Sequence, residues 1–330
     1  MYYSDKIDIL KDIFSSDDLY LEPSFLVVKG ELFPIIDDVI VLSGPEEYTD
    51  YVKNIINQKG DSGSLKNFSK QVQYSFGEEW KEYSEILPEH RDEFEKYFDT
   101  VDTEDLKDKR VCDLGCGNGR WSFFLKDICR EIILVDFSDA VFVARKNLAA
   151  NPNCLFFMCD LKKLPFKEDF ADFMFCLGVL HHLPTPCLEE VKGLKKYAAV
   201  ILVFLYYALD NRPFYFRFIL KVITFIRKIL SKIKSPFFRR SFSLFTTFTL
   251  YIPMICLGHA LEVFKKGSYV PLYDFYRDKS VKRIQQDVYD RFFTGIEQRV
   301  TKEEILQLKD SFAQVIVSEN IPYWHFLCSK

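Results

Sequence analysis

A glycine-rich turn after an apolar strand is the part of this sequence best suited to chemistry. The segment from Val111 to Arg120 reads VCDLGCGNGR, so the glycines alternate with other residues between a predicted strand and a predicted helix. Glycine allows tight turns and close approach of the backbone to a ligand. Asp136 ends the next predicted strand, where a carboxylate can accept both hydroxyls of a ribose. The pattern therefore predicts a nucleoside-binding site.

The spacing within this turn narrows the class of nucleoside. A dinucleotide fingerprint needs a third glycine where this sequence has Arg120, and its pyrophosphate would lie beside Asp113. Two negative groups repel each other strongly in a pocket of low dielectric. Asp113 suits a ligand with an ammonium group instead.

The motif from Asp113 to Gly119 (DLGCGNG) resembles the first motif of class I S-adenosylmethionine-dependent methyltransferases. The resemblance implies S-adenosylmethionine as the cofactor, with the glycine turn around its methionine part and Asp113 near its amino group. It also implies Asp136 on the ribose and an aromatic contact with adenine. The cofactor-binding residues implied in this way are Asp113, Gly115, Cys116, Gly117, Asn118, Gly119, Asp136, Phe137, Asp160, Leu161 and Leu177.

Two adjacent histidines, His181 and His182, are the candidate catalytic residues. Neighbouring side chains are not expected to point the same way, so we expect one ring to face the substrate and the other to be structural. Imidazole titrates near neutrality and suits a general base. Transfer without a base stays open, because an aligned nucleophile can suffice for a reactive sulfonium. The substrate candidates follow the fifth predicted strand or precede the last helix: Tyr206, Tyr207, Arg212 and Tyr289.

Strands and helices alternate from Lys109 onward. The apolar runs of strand length are 111–114, 131–136, 154–159, 170–178 and 198–206. Nearly continuous apolar strands alternating with helices predict an α/β fold with a doubly wound, mostly parallel, Rossmann-like sheet covered on both faces. The resemblance implies seven strands. Thr301 with Glu304 forms a capping-box pattern that predicts a helix before two closing strands.

We expect four parts along the chain. Residues 1–65 form a small β-containing module without metal, and 66–212 form the methyltransferase core with the cofactor site. Residues 213–270 form a helical insertion or lid, and 271–330 complete the core. The first boundary depends on Gly60, Ser62, Gly63 and Ser64, which are typical of a linker. The segment Ser75–Trp80 resembles a lead-in whose aromatic residues cover the cofactor in some small-molecule methyltransferases.

The insertion is basic and apolar. Residues 211–261 contain nine Lys or Arg and no Asp or Glu, and 214–234 has the spacing of an amphipathic basic helix. Residues 242–261 are long enough to cross a membrane, but only 13 of these 20 are apolar. We expect a lid packed on protein. A peripheral membrane contact through 214–240 and a true span stay open.

Composition limits the class of protein. With 48% hydrophobic and 28% charged residues, the chain is folded. The first 110 residues contain 26 acids against 13 Lys or Arg, which argues against nucleic acid as a partner. The start, Met1–Phe14, is not a basic segment followed by an apolar run, so we expect no secretory signal and a cytoplasmic location. Peripheral membrane attachment stays open.

The sequence predicts methyl transfer from S-adenosylmethionine to a small organic or lipid-linked acceptor, because the insertion is aromatic and apolar. An RNA methyltransferase is the second hypothesis, and a catalytically silent methyltransferase-like binding module is the third. No metal site is expected, because the nine cysteines form no C-x-x-C pair. The acceptor atom and the oligomeric state do not follow from the sequence.

Overall fold

The computed structural model describes residues 1–56, 73, 77, 79–80 and 82–330. The predicted boundary near residue 65, its linker glycines and much of the segment 75–80 therefore lie outside the described residues. The strands are β1 (Leu19–Glu22), β2 (Phe25–Val28), β3 (Glu31–Ile36), β4 (Val39–Val41), β5 (Arg110–Leu114), β6 (Glu131–Asp136), β7 (Cys154–Met158), β8 (Ala171–Leu177), β9 (Ala198–Phe204), β10 (Gln314–Val317) and β11 (His325–Ser329).

The described strands form one sheet in the order β1-β2-β3-β4-β7-β6-β5-β8-β9-β11-β10. Strands β4 to β9 pair in parallel across its centre, and β10 and β11 join antiparallel at one side. The seven strands from β7 to β10 confirm the predicted α/β fold. Chain order reverses beside β5, and open α/β sheets bind their ligands at such a switch point.

The first four strands continue this sheet. Val39 of β4 lies opposite Phe156 of β7 in parallel register. The first helix buries Leu10 and Ile13 in the same hydrophobic cluster as the central strands. The segment that the sequence indicated as a small module therefore shares a sheet and a core with the methyltransferase segment.

Helices cover both faces of the sheet. Alternate residues of β6 belong to different hydrophobic clusters: Ile133 and Val135 lie in one, Ile132 and Leu134 in the other. This alternation is what a strand with two covered faces requires. The helices are α1 (Ile7–Phe14), α2 (Asp50–Ile56), α3 (His90–Tyr97), α4 (Arg120–Leu125), α5 (Ala140–Asn147), α6 (Cys187–Leu194), α7 (Phe214–Leu230), α8 (Pro236–Thr246), α9 (Ile252–Glu262), α10 (Tyr273–Tyr276), α11 (Val281–Phe293) and α12 (Lys302–Leu306).

The inserted helices pack together as a layer of their own, with a third hydrophobic cluster that extends through α11. The predicted insertion thus continues beyond residue 270. A buried ion pair ties α11 to α3, because Arg283 Nε lies 2.9 Å from Glu93 Oε1. The predicted capping box of α12 is present at Thr301 and Glu304. Among the described residues, one helical stretch, Pro236–Glu262, is long and apolar enough to cross a membrane by length and composition.

Candidate active site

A cavity of about 340 Å³ lies at the carboxyl ends of β5, β6 and β8, between the sheet and the inserted helices. Gly115, Asp136 and Leu177 belong to the sheet wall. The opposite wall includes Leu220 of α7 and Asp290 of α11. The site thus combines a wall that the sequence predicted with a wall that belongs to the insertion.

The glycine turn depends on the absence of side chains. Gly115 has φ +80°, and a Cβ there would lie 2.4 Å from Cγ2 of Val179. Gly117 has φ +53°, and its Cβ would lie 2.8 Å from the Trp80 ring. Residues with side chains are strained at such φ values, so both positions require glycine. Gly115 lines the cavity, whereas Cys116, Gly117, Asn118 and Gly119 lie behind the lining.

Asp136 holds this turn from the end of β6. Its Oδ2 accepts the Gly117 N–H at 2.9 Å, and its Oδ1 accepts the Ser138 N–H at 2.8 Å and the Ser138 hydroxyl at 2.7 Å. Burial raises the pKa of Asp136, and these hydrogen bonds oppose the rise. A carboxylate has about four acceptor positions, so Oδ2 can also accept a sugar hydroxyl.

Asp113 lies beneath the turn and outside the cavity lining. Its Oδ2 accepts the Ser122 hydroxyl at 2.7 Å, which connects β5 to α4. Burial raises the pKa of Asp113 to about 7, and the Asp136 carboxylate adds to the rise. Its predicted contact with an ammonium group stays a prediction.

The residues implied for adenine are together in the lining: Phe137, Asp160 and Leu161. Asp160 Oδ1 accepts the Lys162 N–H at 3.0 Å, which fixes the direction of this carboxylate. Two apolar side chains and an acceptor beside the Asp136 carboxylate are groups that suit an adenosine. The residues present therefore fit the nucleoside part of S-adenosylmethionine.

The two histidines have different surroundings. His182 lines the cavity, and its Nδ1 lies 2.7 Å from the Ile296 carbonyl oxygen. The Nδ1 of a neutral imidazole must then carry the proton, which makes Nε2 the basic nitrogen. His181 is fully buried behind the lining and stacks on Tyr206 at 3.9 Å between ring centroids. Burial lowers the pKa of His181 well below its ordinary value.

Three of the four predicted substrate residues reach the cavity. Tyr206 and Tyr207 line it, and the Tyr206 hydroxyl donates to Asp290 Oδ2 at 2.7 Å. Arg212 also lines it and forms an ion pair of 2.7 Å with Asp274. Tyr289 does not line the cavity. Its ring packs against Phe293 in the core of the inserted layer, with 5.5 Å between the two ring centroids.

Sequence reasoning missed several charged residues of the lining, among them Glu79, Arg120 and Arg283. Burial and the nearby Asp290 carboxylate raise the pKa of Glu79 well above its ordinary value. Arg120 directly follows the glycine turn, and its guanidinium lies 4.3 Å from the Trp121 ring centroid. The position of Arg120 directly after the glycine turn was a sequence signal for this residue. The polar residues of α11 gave no such signal, because their spacing is typical of a solvent-exposed helix face.

Residues 111–200 match the model of a family described as a methyltransferase domain. This segment is therefore similar to known methyltransferase domains. The prediction of the class I S-adenosylmethionine-dependent methyltransferase family is confirmed for it, together with the enzyme class and the cofactor of that family.

Named relatives are similar to part of this chain. A tRNA U34 carboxymethyltransferase from Sulfurimonas denitrificans is 35% identical over 104 residues, which are 29% of this chain and 35% of that protein. A protein of the same name from Campylobacter curvus is 34% identical over 94 residues, which are 27% of this chain and 31% of that protein. The chain thus spans about a third of the length of these relatives.

Solved structures resemble part of the chain. Phosphoethanolamine N-methyltransferase 1 from Haemonchus contortus is 17% identical with a TM-score of 0.35, and the match covers 42% of this chain and 33% of that chain. A SAM-dependent methyltransferase from Aquifex aeolicus is 23% identical with a TM-score of 0.32, and the match covers 38% of this chain and 71% of that chain. Both matches include less than half of this chain.

The expectation that nucleic acid is not a partner is wrong, because the relatives of the methyltransferase domain are tRNA carboxymethyltransferases. The expectation depended on the acidic first third. In the structure, acids of that third are paired with cations from later in the chain, such as Asp12 with Lys167 and Glu93 with Arg283. The formal charge of a segment therefore overstates the negative charge that its surface presents.

Proposed function

We propose that the protein transfers a methyl group, or the carboxymethyl group named in its relatives, from an S-adenosyl donor to a nucleobase of RNA. The observation that carries the proposal is the substrate in the relatives' name, tRNA U34. The shape and chemistry of the cavity support the same substrate class.

Aromatic rings surround the space beyond the glycine turn. Enzymes that modify a base take it out of its stack and hold it between aromatic or apolar side chains. The rings that line the cavity here are Trp80, Tyr97, Trp121, Phe137, Phe204, Tyr206, Tyr207, Phe216, Phe275, Tyr276 and Tyr323. Such a chamber suits a flat base next to the methyl donor.

Two arginines of the lining supply positive charge for an RNA. Arg212, Arg283 and Arg299 pair with carboxylates. In contrast, Arg120 and Arg291 form no ion pair of 4.0 Å or less with a carboxylate among the described residues. Arg291 Nη2 makes a long contact of 3.4 Å with the Tyr276 hydroxyl, and the Glu297 carboxylate contributes to the raised pKa of Arg291. Both guanidinium groups are suited to a base carbonyl or a phosphate of the acceptor.

The residues of the sheet wall and those of the segment after β8 have separate tasks in this reaction. S-adenosylmethionine, when bound, supplies an electrophilic carbon on a sulfonium. Asp136 and the glycine turn orient that donor, and the aromatic chamber aligns the base against it. We assign the general base to His182, which lines the cavity and has Nε2 as its basic nitrogen.

The test is incorporation of labelled methyl or carboxymethyl groups into bulk tRNA by the full-length protein, with each donor assayed separately. Calorimetric titration with S-adenosylhomocysteine runs in parallel, so that failure of donor binding is distinguished from choice of the wrong acceptor. Label in RNA that disappears in Asp136→Ala supports the proposal. Tight binding of the donor with no label in RNA, but with label in a small molecule of the extract, would overturn it.

A further inference from the structure

Helix α7 presents three different faces. Successive residues advance about 100° around a helix axis. Phe214, Phe218, Val222, Phe225 and Ile229 fall within one narrow arc, which we call the apolar stripe. Each of them is between 46% and 77% exposed. A soluble protein normally buries such a stripe, so this face needs a partner.

The second face is basic, and the third belongs to the active site. Along one edge of the apolar stripe lie Arg217, Lys221 and Lys228, which we call the basic row. All three side chains are exposed. Leu220 and Ile223 point to the opposite side and line the cavity. The helix is therefore held on the protein by its third face while the other two face outward.

The helices that follow α7 in the chain also expose apolar side chains. Of the 24 large apolar side chains exposed among the described residues, 17 fall between 214 and 269. On α8 and the turn after it, Phe237, Leu244, Phe245 and Phe248 are between 43% and 81% exposed. Isolated exposed apolar residues are ordinary, but a concentration of this size marks an interaction surface.

We propose that the apolar stripe of α7 and its basic row dock on an anionic phospholipid membrane. An interfacial helix inserts aromatic and aliphatic side chains into the boundary of the acyl chains, while adjacent Lys and Arg bind lipid phosphates. The absence of Asp and Glu from 211–261 removes charges that such a surface would repel. This inference does not depend on which acceptor the enzyme uses.

Other occupants fit this surface less well. A two-fold interface brings the same patch of both copies together, so the lysines of both copies would lie at one interface without an Asp or Glu from 211–261 to pair with them. RNA would use the basic row but would leave Val222 and Ile229 exposed to solvent. A lipid surface satisfies the apolar and the basic face at once.

The experiment is flotation of the full-length protein with vesicles of phosphatidylcholine alone or of phosphatidylcholine with phosphatidylglycerol. We expect co-flotation with the anionic vesicles, and much less with the neutral ones. The double variant Phe218→Ser/Phe225→Ser should reduce binding by roughly tenfold to a hundredfold per fully inserted ring. Lys221→Glu/Lys228→Glu should abolish the preference for anionic vesicles.

The matched control is Tyr20→Ser/Leu32→Ser, which removes two exposed apolar side chains, 49% and 58% exposed, from the first strands. This control should float like the wild type. S-adenosylhomocysteine should bind every variant equally, because none of the changed residues lines the cavity. The proposal is overturned if the wild type stays in solution with both vesicles, or if flotation survives the double Phe variant. A dimer lost in that variant without vesicle binding would assign the stripe to a second copy.

Discussion

The carboxylate of Asp136 accepts the backbone N–H of Gly117 at 2.9 Å, so the acid that faces the cavity also holds the glycine turn. Strand β6 and the turn after β5 are thereby locked in one arrangement before any ligand binds. Donor affinity and turn geometry depend on the same side chain.

Asp136→Asn should weaken binding of S-adenosylhomocysteine by about tenfold to a hundredfold, since each charge-assisted hydrogen bond contributes about 1.5 to 3 kcal/mol. Isothermal titration calorimetry measures this directly. The control is Asp127→Asn, which removes an exposed carboxylate whose ion-pair partner, among the described residues, is its neighbour Lys126. Equal affinity in Asp136→Asn and wild type would contradict the assignment of this carboxylate to the donor.

Gly115→Ala should lower the free energy of unfolding by about 2 to 5 kcal/mol, because φ strain adds to a contact with Val179. Gly30→Ala separates the two effects. Gly30 has φ +81° with nothing within 4 Å of its Cβ position, so only strain of about 1 to 2 kcal/mol is expected there. Urea unfolding compares the two variants. Similar losses would show that Val179 moves aside without cost.

Glu93→Gln should destabilise the fold by about 3 to 5 kcal/mol, because it leaves Lys279 buried without its carboxylate and leaves Arg283 with Asp287 alone. These cations lower the pKa of Glu93 even though burial raises it. Glu95→Gln is the control on the same helix. It breaks an exposed pair with Arg91 and should cost about 0.5 kcal/mol or less. Equal unfolding midpoints for both variants would show that the buried ion pairs of Glu93 do not stabilise the fold.

Asp113 should make stability fall as pH rises from about 4 to about 7. Burial raises its pKa in the folded state to about 7, so the folded protein keeps a proton that the unfolded chain releases. The full effect is about 4 kcal/mol, at 1.36 kcal/mol for each pH unit between the two pKa values. Asp113→Asn removes this titration, so its stability relative to wild type should increase with pH and level off above about 7. Urea unfolding measures the free energy of unfolding of both proteins at each pH. A constant difference between Asp113→Asn and wild type across this range would mean that Asp113 does not hold this proton.

Arg291→Gln should reduce labelling of RNA by about tenfold or more while S-adenosylhomocysteine binds as in wild type. The reason is that Arg291 lines the insertion wall and forms no ion pair of 4.0 Å or less with a carboxylate among the described residues, which leaves its charge for the acceptor. The control Arg91→Gln removes an exposed arginine of α3 and should not change labelling. A loss of donor affinity in Arg291→Gln would place this arginine with the cofactor instead.

Local sequence signals predicted the sheet wall of the site. The glycines need particular backbone angles, and strands covered on both faces need apolar residues at nearly every position. Both requirements act within a few residues. This is why the turn at Gly115 and the strand ending at Asp136 were recognisable, as was the capping box at Thr301.

The insertion wall was not predictable in the same way. The polar residues of α11 have the spacing of a solvated helix face, yet Arg283 is buried against Glu93, 190 residues earlier in the chain. Adjacent histidines gave equal candidates, and only packing on Tyr206 placed His181 behind His182.

The sequence by itself determined the class of fold, the glycine turn and its acid, because these depend on backbone geometry and on short-range periodicity. The tertiary structure alone decided that β4 extends the central sheet beside β7, that α11 closes the cavity, and that the apolar stripe of α7 faces outward. The physical reason is that strand pairing, charge pairing and burial join residues far apart in the chain, and no local spacing records those contacts.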